Sequence, residues 1–136
     1  MDGRGLATAT FFGLVFAAGH LTQEVRDHDG DGVNGIRTNA VTFGKGPTFA
    51  ASLVLFTLAH GLLLLLAFRG ALPLRMAALV AVYPVQLYCS LASLREGLTY
   101  ATVSRLQTRY RALYAVVGLG MIAVLFAGSH FLSTAR

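Results

Sequence analysis

Four long apolar stretches, separated by short polar connections, dominate the pattern of hydrophobic and polar positions along the chain. We predict membrane-spanning helices near 6–25, 48–68, 74–94 and 110–132, because a helix needs ~20 apolar residues to cross a hydrocarbon core. All four are predicted to be helical, since irregular backbone facing lipid would leave its polar groups unpaired. Pro84 beside Gln86 predicts a kink and a polar group at mid-membrane depth in the third span. The pattern therefore predicts an all-α membrane protein of about four helices, folded as a single domain over 1–136.

The composition agrees with a lipid environment. Hydrophobic residues make up 55% of the chain and charged residues 12%, whereas a soluble domain is roughly a quarter charged. The net charge of +5 is scattered over the connections and forms no block, so nucleic acid is not an expected partner. Cys89 is the single cysteine and lies in an apolar stretch, where we expect it to pack.

The basic residues predict an orientation. With alternating spans, one side of the membrane holds Arg26, Arg37, Lys45, Arg95, Arg105, Arg109 and Arg111, and the other holds Arg4, Arg69, Arg75 and Arg136. The richer side is expected to be cytoplasmic. We therefore predict an integral protein of a bacterial cytoplasmic membrane whose loop 26–46 faces the cytoplasm. A competing interpretation takes Met1 to Gly19 as a signal peptide, but Asp2 offsets Arg4 and the polar segment that follows is short.

Acidic residues cluster directly after the first apolar stretch. Glu24, Asp27, Asp29 and Asp31 are four of the six acidic residues in the chain. If the helix continues to about Gly30, then Glu24, Asp27 and Asp31 share one face with His20, while Asp29 points away. Carboxylates repel one another and are unfavourable near a helix C-terminus. The cluster therefore indicates a bound cation.

Magnesium is the cation that the pattern favours, because it binds one or two carboxylates, keeps water ligands and uses phosphate oxygens for the remainder. We expect Gly30, Gly32 and Gly35 to let the backbone turn after the helix. The turn would return Arg37 and Lys45 to the cluster, where both could bind phosphate.

Two other interpretations compete with magnesium. Asp27, Asp29, Asp31 and Gly32 match the start of a calcium-binding loop, but its twelfth position is Thr38 where such a loop has a bidentate glutamate. The second interpretation is a solvated acidic turn with no bound ion, since runs of charged residues usually face water. A solvated turn accounts poorly for carboxylates crowded at a helix C-terminus.

The segment from Glu24 to Gly44 resembles a known motif. Its residues Glu24-Val-Arg-Asp27-His-Asp29-Gly30-Asp31, followed by Gly35-Ile-Arg37-Thr38-Asn-Ala-Val41 and Gly44, are similar to the second aspartate motif of the UbiA-type intramembrane prenyltransferases. That motif reads approximately R-D-x-E-G-D, then G-x-[RK]-T, then a small residue, valine and glycine. Asp29 stands where the family usually has glutamate, and Glu24 where it often has aspartate.

The resemblance implies a function and a site. It implies Mg²⁺-dependent transfer of an isoprenoid chain from a prenyl diphosphate to an aromatic or other lipophilic acceptor, as in quinone or lipid biosynthesis. The implied catalytic residues are Asp27, Asp31 and Arg37. The metal ligands would be Asp27, Asp31 and Glu24, the diphosphate contacts Arg37, Lys45 and Arg26, and the supporting residues His20 and Asp29.

The rest of the family pattern is missing. Members resemble bundles of nine helices with two aspartate motifs, and the first motif has no counterpart in this sequence. The chain looks like the C-terminal four helices, so we expect a fragment or one partner of a split enzyme, the other part carrying the first motif. The alternative function is a non-catalytic small membrane protein that binds a divalent cation, such as a transporter subunit or an assembly factor.

Among the polar residues of the predicted spans, His60, Gln86 and His130 stand out at membrane depth. Polar groups at membrane depth are candidates for function. None shares a motif with the carboxylates, so we expect packing or hydrogen bonding from each of them.

Overall fold

A computed structural model describes the backbone of residues 3–133 and the side chains of residues 5–124. The described part is helical and contains no strand. It consists of α1 (Gly3–Val33), α2 (Asn39–Phe43), α3 (Lys45–Phe68), a 3₁₀ helix (Leu74–Ala81), α4 (Val82–Glu96) and α5 (Tyr100–Ser133). The predicted all-helical class is confirmed for these residues.

Three segments of the described chain are long and apolar enough to cross a membrane: Gly5–Val33, Lys45–Phe68 and Leu74–Glu96. They contain the first three predicted spans and are compatible with an integral membrane protein. The fourth predicted span, 110–132, lies in α5, but its side chains beyond 124 fall outside the described residues. That span and the membrane orientation stay predictions.

The helices α1 and α3 form an antiparallel pair. Contacts join Asp29 to Lys45 near the connection, and Thr22 to Ser52 further along. The Phe11 and His60 rings meet toward the other end, with centroids 6.0 Å apart. The small residues of the interface, Ala18 and Ser52, are fully buried, and small residues let neighbouring helix backbones approach closely.

Helix α5 packs against the other helices through a stripe of buried residues spaced three, four or seven apart: Val103, Leu106, Tyr110, Val117 and Met121. This spacing is that of one helix face. Tyr110 bonds with Ser90, and Tyr114 donates to Gln86. These two contacts fix α5 antiparallel to α4.

The third predicted span differs from the expectation of one kinked helix. It begins as a 3₁₀ helix at Leu74 and becomes α-helical only at Val82. Pro84 therefore lies in the first turn of α4, where a missing backbone N–H leaves no internal hydrogen bond unmade. The change from 3₁₀ helix to α-helix falls just before Pro84, so the proline does not remove a hydrogen bond from the middle of an α-helix.

The predicted loop 26–46 is mostly helical. Gly30 and Gly32 belong to α1, which runs to Val33, and of the three glycines expected to form the turn Gly35 alone has a positive φ, of 71°. Ile36 N–H donates to Asp31 O at 2.9 Å, and Gly35 N–H donates to Gly32 O at 3.3 Å. Such paired bonds around a left-handed glycine are the usual way to end a helix. The expectation that Gly30 and Gly32 turn the backbone is therefore wrong.

Candidate functional site

The acidic segment forms the last turns of α1, beyond the part needed to cross a bilayer. Helix α1 has 31 residues, and at 1.5 Å per residue it is about 46 Å long, whereas a hydrocarbon core is ~30 Å thick. If α1 crosses a bilayer with little tilt, a helix of this length extends past a membrane surface. The residues from Glu24 to Asp31 are the part of the helix expected in water, because charged side chains are less stable in the hydrocarbon core.

Glu24 is buried, at 7% relative exposure, and holds the following segment against α1. Its Oε2 accepts hydrogen bonds from the backbone N–H groups of Asn39, at 2.8 Å, and Ala40, at 3.3 Å. Its Oε1 accepts from Asn39 Nδ2 at 3.1 Å and lies 3.2 Å from His20 Nε2. These N–H groups belong to the first two residues of α2, and the carboxylate offsets the partial positive charge at the start of that helix. Both oxygens of Glu24 are therefore engaged within the chain.

Asp27 pairs with Arg26. Arg26 Nε and Nη2 donate to the two carboxylate oxygens at 2.7 and 2.6 Å. Arg26 Nη1 donates to Gln107 on α5 at 2.8 Å, and the guanidinium lies 5.7 Å from the centre of the Tyr100 ring. A two-point arginine–carboxylate pair is among the stronger polar contacts in proteins. Arg26 thus joins the acidic segment to α5.

Asp29 forms a separate cluster on another side of α1. Its carboxylate oxygens lie 2.8 Å from His28 Nδ1 and 2.8 Å from Lys45 Nζ, and its side chain is 76% exposed. Lys45, predicted to bind diphosphate, is therefore paired with Asp29 at the start of α3. An exposed pair of this kind contributes little to stability.

Asp31 and Arg37 are the predicted site residues whose side chains make no hydrogen bond or ion pair with the described residues. Asp31 is partly exposed and Arg37 is exposed. The bond from Ile36 N–H to Asp31 O brings the residue before Arg37 back to the Asp31 turn. Both side chains are available to a ligand at the end of α1.

A cavity of about 400 Å³ opens beside the acidic segment, between α1, α3 and α5. Its walls are mostly apolar, and its remaining lining residues are polar or cationic. The apolar and aromatic residues are Val15, Phe16, Phe56, Tyr110 and Tyr114, with Gly19, and the polar ones are His20, Gln23, Gln107 and Arg111. Small-molecule sites in proteins are typically ~300–1,000 Å³ and have this mixture of surfaces. Sequence reasoning missed the cavity because its lining comes from three helices.

The cavity and the acidic segment share a face of α1. Gly19 and Gln23 line the cavity, and continued steps of four residues lead to Asp27 and Asp31 on the same stripe. Gln107 lines the cavity and also accepts the hydrogen bond from Arg26. Asp27 and Asp31 therefore continue the α1 face that lines the cavity, about one and two turns beyond Gln23.

The carboxylates fit magnesium only in part. Residues with described side chains contain no group of three histidine, cysteine, aspartate or glutamate residues arranged to hold a metal ion. Asp27 and Asp31, one helical turn apart, form the smaller donor set that magnesium uses when a phosphate supplies other oxygens. Asp27 would have to leave Arg26 to do so. A calcium loop requires irregular backbone through 27–31, and this segment is helical.

Comparisons with protein families, with curated proteins and with solved structures find no match to this chain.

Proposed function

We propose that this chain is the donor-binding part of an intramembrane prenyltransferase. The observation that carries the proposal is a mostly apolar cavity whose α1 face continues into the acidic segment, and whose lining residue Gln107 accepts a hydrogen bond from Arg26. A prenyl diphosphate has the same division, with an apolar chain and a charged head. The motif resemblance of residues 24–44 supports the same ligand independently of the cavity.

In this proposal the isoprenoid chain lies against Phe16, Phe56 and Tyr114, and the diphosphate lies near the end of α1. Asp27 and Asp31 would hold Mg²⁺, which when bound supplies charge stabilisation for the departing diphosphate. Arg37 would contact the diphosphate, and Arg26 would do so after leaving Asp27. Glu24 and His20 would position the segment by holding α2.

The proposed reaction breaks the allylic C–O bond of the donor, so that diphosphate leaves with the bonding electrons. A lipophilic or aromatic acceptor attacks the allylic carbon and loses a proton. Because the chain lacks a first aspartate motif, we propose that a second polypeptide segment supplies it.

The test is a binding titration on the full chain in lipid nanodiscs. Mn²⁺, a spectroscopic substitute for Mg²⁺, is titrated with and without a non-hydrolysable prenyl thiodiphosphate. Metal and donor should bind cooperatively, because two carboxylates alone make a weak site. Asp31→Asn should weaken metal binding in the presence of donor at least about tenfold, since it removes one of the two proposed carboxylate ligands. Glu96→Gln, which removes an exposed carboxylate paired with Arg105, is the matched control and should have no effect.

Other outcomes separate the alternatives. Donor-independent metal binding would indicate a non-catalytic cation-binding protein, and a preference for Ca²⁺ without donor would indicate a calcium site. No metal response under any condition would leave the acidic segment as a structural turn. Each of these results would overturn the prenyltransferase proposal.

A further inference from the structure

A group of polar side chains lies in the interior of the bundle, away from the acidic segment. His60 on α3 is 2% exposed and Gln86 on α4 is 1% exposed. Both are near the middle of predicted spans. Burying a polar group without a hydrogen-bond partner is unfavourable, and more so where no water can replace the partner.

The hydrogen bonding of His60 fixes the role of each ring nitrogen. His60 Nδ1 lies 2.8 Å from the backbone oxygen of Phe56. A carbonyl oxygen only accepts, so Nδ1 carries the proton, and Nε2 of the neutral ring is an acceptor. His60 Nε2 is buried and has no hydrogen-bond partner among the described residues.

Within the part of the chain that the structure describes, Gln86 has a hydrogen-bond donor that lacks an acceptor, whereas His60 has an acceptor that lacks a donor. Its Oε1 accepts from the Tyr114 hydroxyl at 2.7 Å, while its Nε2 is buried without a partner among the described residues. The side-chain nitrogen of glutamine donates and does not accept. With respect to the side chains described, His60 therefore has an unused acceptor and Gln86 an unused donor.

Two tyrosines connect these groups. The His60 ring centre lies 5.0 Å from that of Tyr83 and 6.1 Å from that of Tyr114. Tyr83 precedes Gln86 by about one helical turn on α4, and Tyr114 bonds to Gln86 directly. The His60 and Gln86 side chains therefore both lie beside Tyr114. Tyr114 also lines the cavity.

We propose that His60 and Gln86 together bind a hydroxyl group in the membrane interior. A hydroxyl donates one hydrogen bond, which His60 Nε2 accepts, and it accepts another, which the Gln86 amide donates. Water and the hydroxyl of a lipid-soluble alcohol share this chemistry. The site does not depend on prenyl transfer, because it uses none of the residues of the acidic segment.

The test uses nuclear magnetic resonance of the full chain, labelled with ¹⁵N-histidine, in phosphatidylcholine nanodiscs. The His60 signal is identified by its loss in His60→Phe. In the unchanged chain, Nε2 should show the shift of a hydrogen-bonded acceptor, and its ring protons should show a cross-peak to water. When dodecanol is added, a cross-peak to its hydroxymethylene protons would identify an alcohol as the occupant.

Gln86→Met should abolish or reduce the Nε2 shift, because it removes the amide donor at similar side-chain length. Glu96→Met introduces the same side chain at an exposed position of α4 and should leave the shift unaltered. An Nε2 signal typical of a free acceptor, or the absence of both cross-peaks in the unchanged chain, would overturn the proposal. The second criterion applies even if Gln86→Met does not fold.

Discussion

The hydrogen bonds of Glu24 give a quantitative prediction for the segment after α1. Glu24→Ala removes the acceptor of the Asn39 and Ala40 backbone N–H groups. Leaving a buried donor unpaired costs about 1–3 kcal/mol. Ala40 is fully buried, whereas Asn39 is exposed, so water can compensate mainly at Asn39. We therefore expect α2 to lose about 2 kcal/mol of local stability, a factor of roughly 30.

Amide hydrogen exchange in nanodiscs measures this loss directly. Exchange at Asn39 and Ala40 should accelerate roughly 30-fold in Glu24→Ala, because both amides would be released from α1. Glu96→Ala is the control, since the Glu96 side chain is 56% exposed and exposed ion pairs contribute about 0–1 kcal/mol. Unchanged exchange at both amides in Glu24→Ala would refute the assignment of Glu24 as the residue that holds α2.

Two further predictions concern helix packing and orientation. A Cβ at Gly120 would lie 2.7 Å from Leu79 Cδ2, whereas a Cβ at Gly118 would meet no atom within 4 Å. Rotation of the Leu79 side chain could accommodate one methyl group but not an aromatic ring, so Gly120→Phe should lower thermal stability in detergent relative to Gly118→Phe, and equal stabilities would contradict the packing of α5 on the 3₁₀ helix. A cysteine at exposed Thr42, with Cys89 replaced by alanine, should resist an impermeant thiol reagent in intact cells if that loop is cytoplasmic, and ready labelling from outside would reverse the orientation.

Hydropathy predicted the helices better than it predicted their ends. The second span was expected at 48–68 and the helix runs from Lys45 to Phe68, because apolar length is a property of the local sequence. For the first helix, hydropathy predicts a span over 6–25 and a loop from 26, whereas the helix continues to Val33. Glycine lowers helix propensity by only about 1 kcal/mol, and the left-handed cap at Gly35 determines where the helix stops.

The sequence indicates which residues form the acidic segment, but it does not indicate which other residues they bind. The cluster of carboxylates and its position at the end of α1 follow from the sequence. The sharing of one face by Asp27 and Asp31 follows from helical spacing. That Glu24 caps α2, that Arg26 reaches Gln107, and that a cavity adjoins them depend on contacts between segments up to 81 positions apart. The spacing of neighbouring residues does not encode such contacts.

In the proposed function, a prenyl diphosphate occupies the cavity with its head at Asp27 and Asp31. The most direct measurement is photo-crosslinking of the chain in membranes with a prenyl diphosphate that carries a photoreactive group at the end of its isoprenoid chain. We predict Mg²⁺-dependent labelling of α1 and α5 at cavity residues such as Phe16 and Tyr114, with loss of labelling in Asp31→Asn. Labelling that is independent of Mg²⁺ and spread over outward-facing residues such as Val54 and Leu58 would contradict the account.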